Sequence, residues 1–194
     1  VDTLARLYQY LDVHSPARCE EQKACLTVAI SRLAGSGGSE IARALGARLG
    51  WPVYDHELLT RIAEERGLHT KLLERLDERA MSWLEEIVSS FHSNEPTTSE
   101  RQYIRGLLEL LAGLSKTGHC IIVGRAAAQV LPVESTLRVR VIAPRDQRIK
   151  TIEYRLHLSH DHAAKWVDHT DKERERFVQR LFQKDPFDPL GYDL

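Results

Sequence analysis

The chain has 194 residues, 42% hydrophobic and 28% charged, which is enough apolar mass for one substantial core and suits one domain better than two. A formal net charge of −1 supplies no global field toward nucleic acid or an anionic membrane, so neither is expected as a partner and any attraction to phosphate must be local. Apolar runs fall far short of the roughly 20 residues of a membrane span, and no basic segment followed by an apolar stretch opens the chain, so the expected location is cytoplasmic.

Residues 1–24 stand apart. Leu4, Leu7, Tyr8 and Leu11 are spaced for one face of a short helix, His14-Ser15-Pro16 breaks it, and a polar linker follows. Such a helix could pack on the main domain, on a second copy or on another protein. Because the chain starts at Val1 rather than methionine, a fragment or processed form is one reading. Cys19, Cys25 and Cys120 form no C-x-x-C and are odd in number, so reduced thiols are expected, with Cys120 inside a strand.

The main domain, 25–194, alternates strand and helix. Leu26 to Ser31 is β-branched and apolar, then Gly35-Ser36-Gly37-Gly38-Ser39 leads into a helix with Ser39 as its N-cap and Ile41, Ala44, Leu45 and Leu49 on its buried face. Glycines between a strand and a helix point successive amides inward beside a positive helix end, so this loop is expected to hold phosphate. It lacks the lysine of G-x-x-x-x-G-K-[ST]: Gly38 stands there, with Ser39 and Glu40 next. Gly38 is expected to adopt a conformation open only to glycine. Arg32, just before the loop, either replaces the missing charge or lies over the strand end. Glu40 either ligates magnesium or meets exposed amides at the helix start.

Trp51 to Tyr54 is a short second strand ending at Asp55, and residues 55–100 read as a helical insertion in several pieces. A periodic helix through Ile104, Leu107, Leu108, Leu111 and Leu114 stops at Gly118; His119 to Val123 is the third strand, closed by Gly124-Arg125. Leu137 to Ala143 is the fourth, and a helix with Arg148, Ile149, Ile152 and Arg155 follows Pro144. Residues 156–170, polar and histidine-rich, read as a mobile lid, Asp171 to Gln183 as helix, and Asp193-Leu194 as the start of a further strand, beyond which the fold would continue. His157, His160 and His162 suggest zinc less than a solvated lid, since no cysteine or second i,i+4 histidine pair accompanies them.

The pattern specifies an α/β fold with a parallel sheet and helices on both faces. In such sheets ligands bind beyond the carboxyl ends of the strands. That rule gathers the glycine loop, Asp55, Gly124-Arg125 and Pro144-Arg145 at one cleft. Each arginine also has a structural alternative: Arg125 could pair with Asp55 or Glu57, and Arg174 and Arg176 lie on a helix dense in ion-pairing residues.

The sequence resembles the cytidylate kinase-like family of P-loop proteins. The resemblance is carried by Ile30-Ser31-Arg32 before Gly35-Ser36-Gly37-Gly38, Ile41 to Leu45, Gly50 to Asp55, Ile122-Val123-Gly124-Arg125, Asp171-x-x-Arg174 and Tyr192-Asp193. It implies a P-loop NTPase-type sheet of five parallel strands, a helical nucleoside-monophosphate-binding insertion, a lid, and transfer of the γ-phosphoryl group of ATP, with Mg2+, to a small nucleotide. On matching positions Arg61 and Arg125 would bind the acceptor phosphate, and Asp55, Asp171 and Arg174 belong with the acceptor. Arg148 and Arg155 would face the donor or the transferring group, which makes Arg125, Arg148, Arg155 and Arg174 the catalytic set. Related cytidylate kinases carry lysine where Gly38 stands and aspartate where Ala126 stands. A non-catalytic nucleotide-binding module and a small-molecule kinase with a non-nucleotide acceptor are therefore the rival classes.

Overall fold

The structure, a computed structural model, describes residues 26–59, 76 and 98–194. The N-terminal helix, Arg61, Cys19, Cys25 and most of the 55–100 insertion lie outside the described residues. The elements in order are β1 (Thr27–Arg32), α1 (Gly38–Leu49), β2 (Val53–Tyr54), α2 (Thr98–Thr117), β3 (Cys120–Val123), α3 (Ala127–Val130), β4 (Thr136–Val141), α4 (Arg145–Leu156) and α5 (His160–Phe182), with a 3-10 turn at Pro189–Gly191. The sheet runs β2-β3-β1-β4 and every pair is parallel, with Ile30 opposite both Val123 and Val139.

Alternation along β1 sends its side chains to two cores. Val28 and Ile30 pack with Ala42 of α1, Ile121 and Val123, while Ala29 faces a larger cluster with Ile104, Leu108 and Leu111 of α2 and Val178 of α5. Helices therefore cover both faces, as a buried parallel sheet requires. Cys120 is buried in β3, as expected, and burial pushes its thiol up to about 12. Among the described residues no helix is long and apolar enough to cross a membrane.

The chain end lies beside β4. Asp193 N–H donates to Arg138 O at 2.8 Å and Arg140 N–H to Leu194 O at 2.8 Å, so the last residues run along the outer edge of β4 without forming a further strand. Arg138 grips the Asp193 carboxylate through Nη2 at 2.7 Å and Nε at 3.2 Å, which holds that carboxyl down at about 2.

Two expectations are corrected. The face of α1 against the sheet is Gly38, Ala42 and Gly46, with Leu45 half-buried beside them as expected; Ile41, Ala44 and Leu49 are exposed, and the N-cap is Gly37, not Ser39. The reason is proximity: a Cβ on Gly46 would lie 2.5 Å from Val53 Cγ2 and 2.9 Å from Trp51 O, so small residues let helix and strand touch. The lid expected at 156–170 is instead the short break between α4 and α5 followed by the first turns of α5. Ala163 and Val167 are fully buried there against Ile149, Ile152 and Ala34, and that apolar spacing at i and i+4 makes a packed helix.

Candidate functional site

The loop after β1 is shaped by two left-handed glycines, Gly35 at φ +76° and Gly37 at φ +83°, with Ser36 between them. Alternating hands in successive residues turn their amides toward a common concavity. Leu33 N–H donates to Val141 O at 3.1 Å, and Ser36 returns its N–H and hydroxyl to Leu33 O, so the loop folds back on the strand end. The first amide of α1 to find an intrahelical partner is Ile41, on Gly37 O at 3.0 Å. Among the described residues, the amides of Gly37, Gly38, Ser39 and Glu40 find no acceptor. Four free donors at a positive helix end are a ready anion site. Gly38 itself is helical, which corrects the expected glycine-only conformation.

Behind the loop stands a brace. Asp171 Oδ1 accepts the Ala34 N–H at 2.7 Å, while Arg148 Nη1 donates to Ala34 O at 3.0 Å and to Asp171 Oδ2 at 2.6 Å. Both sides of residue 34 are thereby gripped by one ion pair, and Arg148 Nε fixes Ala143 O at 3.1 Å as well. Arg148 was expected to face the donor and Asp171 the acceptor; the structure turns them on each other, because a buried guanidinium needs a carboxylate and carbonyls. Their geometry is that of positioning residues. Arg155 Nη1 meets Glu40 in the first turn of α1 at 2.9 Å, and Arg43 meets the same carboxylate at 3.3 Å. Arg145 stays out of the cleft and ties α4 to α5 through Asp168.

In front of β1 and β3 opens a cavity of about 360 Å3 whose lining includes Arg32, His56, Arg125, Arg140, Arg174 and Phe177. Gly124, Arg125 and Ala126 are all left-handed, at φ +83°, +52° and +57°. For the two non-glycine residues this costs about 1–2 kcal/mol each, strain typical of positions that aim a side chain. Arg125 Nη2 lies against His56 Nδ1 and 2.7 Å from its Nε2, and the guanidinium stands over the rings of Tyr103 and Phe177 at 5.9 and 5.7 Å. Burial, then the Arg125 charge, holds His56 below its ordinary value, so its ring is neutral and receives the arginine's N–H.

Arg174 donates to the Arg32 backbone carbonyl at 3.1 Å and is held low by burial, with Asp171 opposing. Arg32 is lowered to about 10, first by desolvation and then by Arg174; Asp55 pulls the other way. Its Nε is buried without a partner. The structure thus brings Arg32, Arg125 and Arg174 together, as the sequence grouped two of them. Asp55 is adjacent and caps residues 56–59 by accepting the Leu58 N–H at 3.0 Å. His56 and Arg140 were missed. Arg140 is one of two arginines in β4 and stacks on Phe187 at 4.7 Å and Tyr192 at 5.3 Å; its signal was the charge inside an otherwise apolar strand. Two histidines at the start of α5 are occupied locally, His160 with Glu153 and His162 with Ser159, and among the described residues no group of His, Cys, Asp and Glu could hold a metal ion.

One solved structure shares this fold. A crystal structure of an uncharacterized protein from Eubacterium ventriosum superposes with a TM-score of 0.65 at 23% identity, over 87% of this chain and 86% of that one. The crystal structure of TT1252 from Thermus thermophilus gives a TM-score of 0.42 at 21% identity, over 82% and 86%. Among curated proteins, a uronate isomerase from Corynebacterium glutamicum is 34% identical over 87 residues, which is 44% of this chain and only 16% of that protein. The profile of the cytidylate kinase-like family matches residues 27–194, nearly the whole chain, and the fold is kinase-like with a four-stranded parallel sheet. The chain belongs to the cytidylate kinase-like family.

Proposed function

We propose that this protein transfers the γ-phosphoryl group of ATP to the phosphate of a nucleoside monophosphate or a similar small acceptor. Two observations carry the reading: free amides of the glycine loop at the start of α1, and a cavity beside Arg32 at the end of the same strand that Arg125, Arg140 and Arg174 also line. In this reading the loop amides hold the donor phosphates and Arg125 and Arg174 hold the acceptor phosphate. An acceptor oxygen attacks the γ-phosphorus in line as its bond to the β–γ bridging oxygen breaks, and that oxygen leaves on ADP. Such transfers depend on positioning and on charge neutralisation, which arginines supply. The cavity lies in the size range of small-ligand sites.

The fit to ATP rests on the orphaned amides. The fit to magnesium is thin: Glu40 is the carboxylate of the helix start, and two guanidiniums already share it. Magnesium would enter on the phosphates of ATP, where it neutralises their charge, and Glu40 would meet it only by giving up Arg155 or Arg43. This engagement, with Ala126 in place of an acidic residue, favours the second reading, a module that binds nucleotide without turnover.

The deciding assay is ADP formation from ATP and Mg2+ with each common nucleoside monophosphate and with small phosphate esters. The expected result is equal production of ADP and phosphorylated acceptor. Arg125→Ala should lower kcat/KM for the acceptor by about 10- to 100-fold, the worth of a charged hydrogen bond, while ATP affinity holds. Tight ATP binding with no ADP from any acceptor would establish the binding module instead.

A further inference from the structure

Arg32 leaves β1 through a slot cut by two glycines. A Cβ on Gly38 would stand 2.6 Å from Arg32 Cβ and 3.0 Å from its Cγ, and a Cβ on Gly124 would overlap Arg32 Nη1. Gly38 is helical, a conformation any residue adopts, so what requires glycine there is the side chain at 32, through its Cβ first and its Cγ next. The stem thus lies against the start of α1 and the head against the end of β3, on the wall of the arginine-lined cavity. The position that would carry the loop lysine is filled, in space, by an arginine from the preceding strand.

The head is poorly served. Its Nε has no partner, Arg174 and Arg125 repel it, and Asp55 only partly offsets them. A partly buried cation with an orphaned donor destabilises the empty protein and is relieved by an arriving anion.

We propose that Arg32 is the cation of the glycine loop, binding a phosphate group that lies between the loop amides and the Arg125–Arg174 cavity, and that Gly38 is glycine to make room for it. The inference rests on the phosphate-binding reading above and assigns the missing lysine charge to a different strand position. A lysine at 38 and the arginine at 32 are then alternatives that exclude each other sterically.

The test is calorimetric titration of ATP into the full chain and its variants, with thermal unfolding alongside. Arg32→Ala should weaken ATP binding by about 10- to 100-fold, the loss of a charged phosphate contact, without lowering the melting temperature. Gly38→Lys alone should also weaken binding, because its stem collides with Arg32. The double variant Arg32→Gly/Gly38→Lys, which removes the Cβ that a side chain at 38 would strike as well as the guanidinium, should bind more tightly than Gly38→Lys or Arg32→Gly alone. Should Arg32→Ala unfold, Arg32→Gln keeps the stem, and the same loss of affinity is expected. Wild-type affinity in Arg32→Ala or Arg32→Gln, or additive losses in the double variant, would overturn the inference and leave the phosphate-binding reading intact. Failure of the wild-type protein to bind ATP would overturn both.

Discussion

Replacing Arg148 with alanine is expected to lower the unfolding free energy by about 3–5 kcal/mol, the usual consequence of stripping one partner from a buried ion pair. The side chain of Arg148 is 9% exposed and that of Asp171 17%, so water replaces the lost guanidinium only in part. The carboxylate would keep the Ala34 N–H but lose its cation, and Ala34 O and Ala143 O would lose their donor. Urea denaturation of both proteins measures the difference. A second variant, Arg148→Met/Asp171→Leu, removes both charges and should recover much of the stability, yet it still frees the Ala34 peptide and should weaken phosphate binding. A loss below about 1 kcal/mol in Arg148→Ala, the range of an exposed pair, would show that the brace does not hold the loop.

Gly35→Ala should be nearly as damaging and for a different reason. Its φ of +76° costs an L-residue about 1–2 kcal/mol, and the new Cβ would sit 2.5 Å from the backbone oxygen of Arg148, which cannot swing aside; an overpacking cost of about 1–3 kcal/mol adds to it. The combined expectation is about 2–5 kcal/mol of destabilisation with ATP binding abolished, because the loop must part from α4. Gly37→Ala is the control. It has the same hand, φ +83°, but open space around its Cβ, so only the conformational cost of about 1–2 kcal/mol applies. Equal losses in the two variants would mean that contact with α4 does not shape the loop.

Much of the fold was legible because it is written in periodicity. Val28 and Ile30 alternate with Ala29, and Ile104, Leu108 and Leu111 repeat at helical spacing, so the strand and helix assignments and the parallel sheet survive in the structure. The buried face of α1 was not legible: Gly38, Ala42 and Gly46 carry almost no hydrophobic signal, and their burial follows from a helix lying close on the sheet. The 156–170 segment misled for the opposite reason, since its histidines and charges outnumber the two apolar positions, Ala163 and Val167, that decide its packing.

At the site, the glycine loop and Arg125 could be placed because they follow strand ends. The pairing of Arg148 with Asp171 could not, since the two residues are 23 positions apart on different helices and either, alone, reads as a ligand contact. Arg32 was readable as a charge near the loop but not as the occupant of the space at Gly38. Only the distance between that glycine and the arginine stem joins the two facts.

The most direct measurement is a crystal structure of the protein with ADP and a nucleoside monophosphate. The β-phosphate of ADP is expected on the amides of Gly37 to Glu40, with Arg32 turned to it, and the monophosphate in the cavity with its phosphate on Arg125 and Arg174. Phosphates bound elsewhere, with the loop amides facing water, would contradict this assignment.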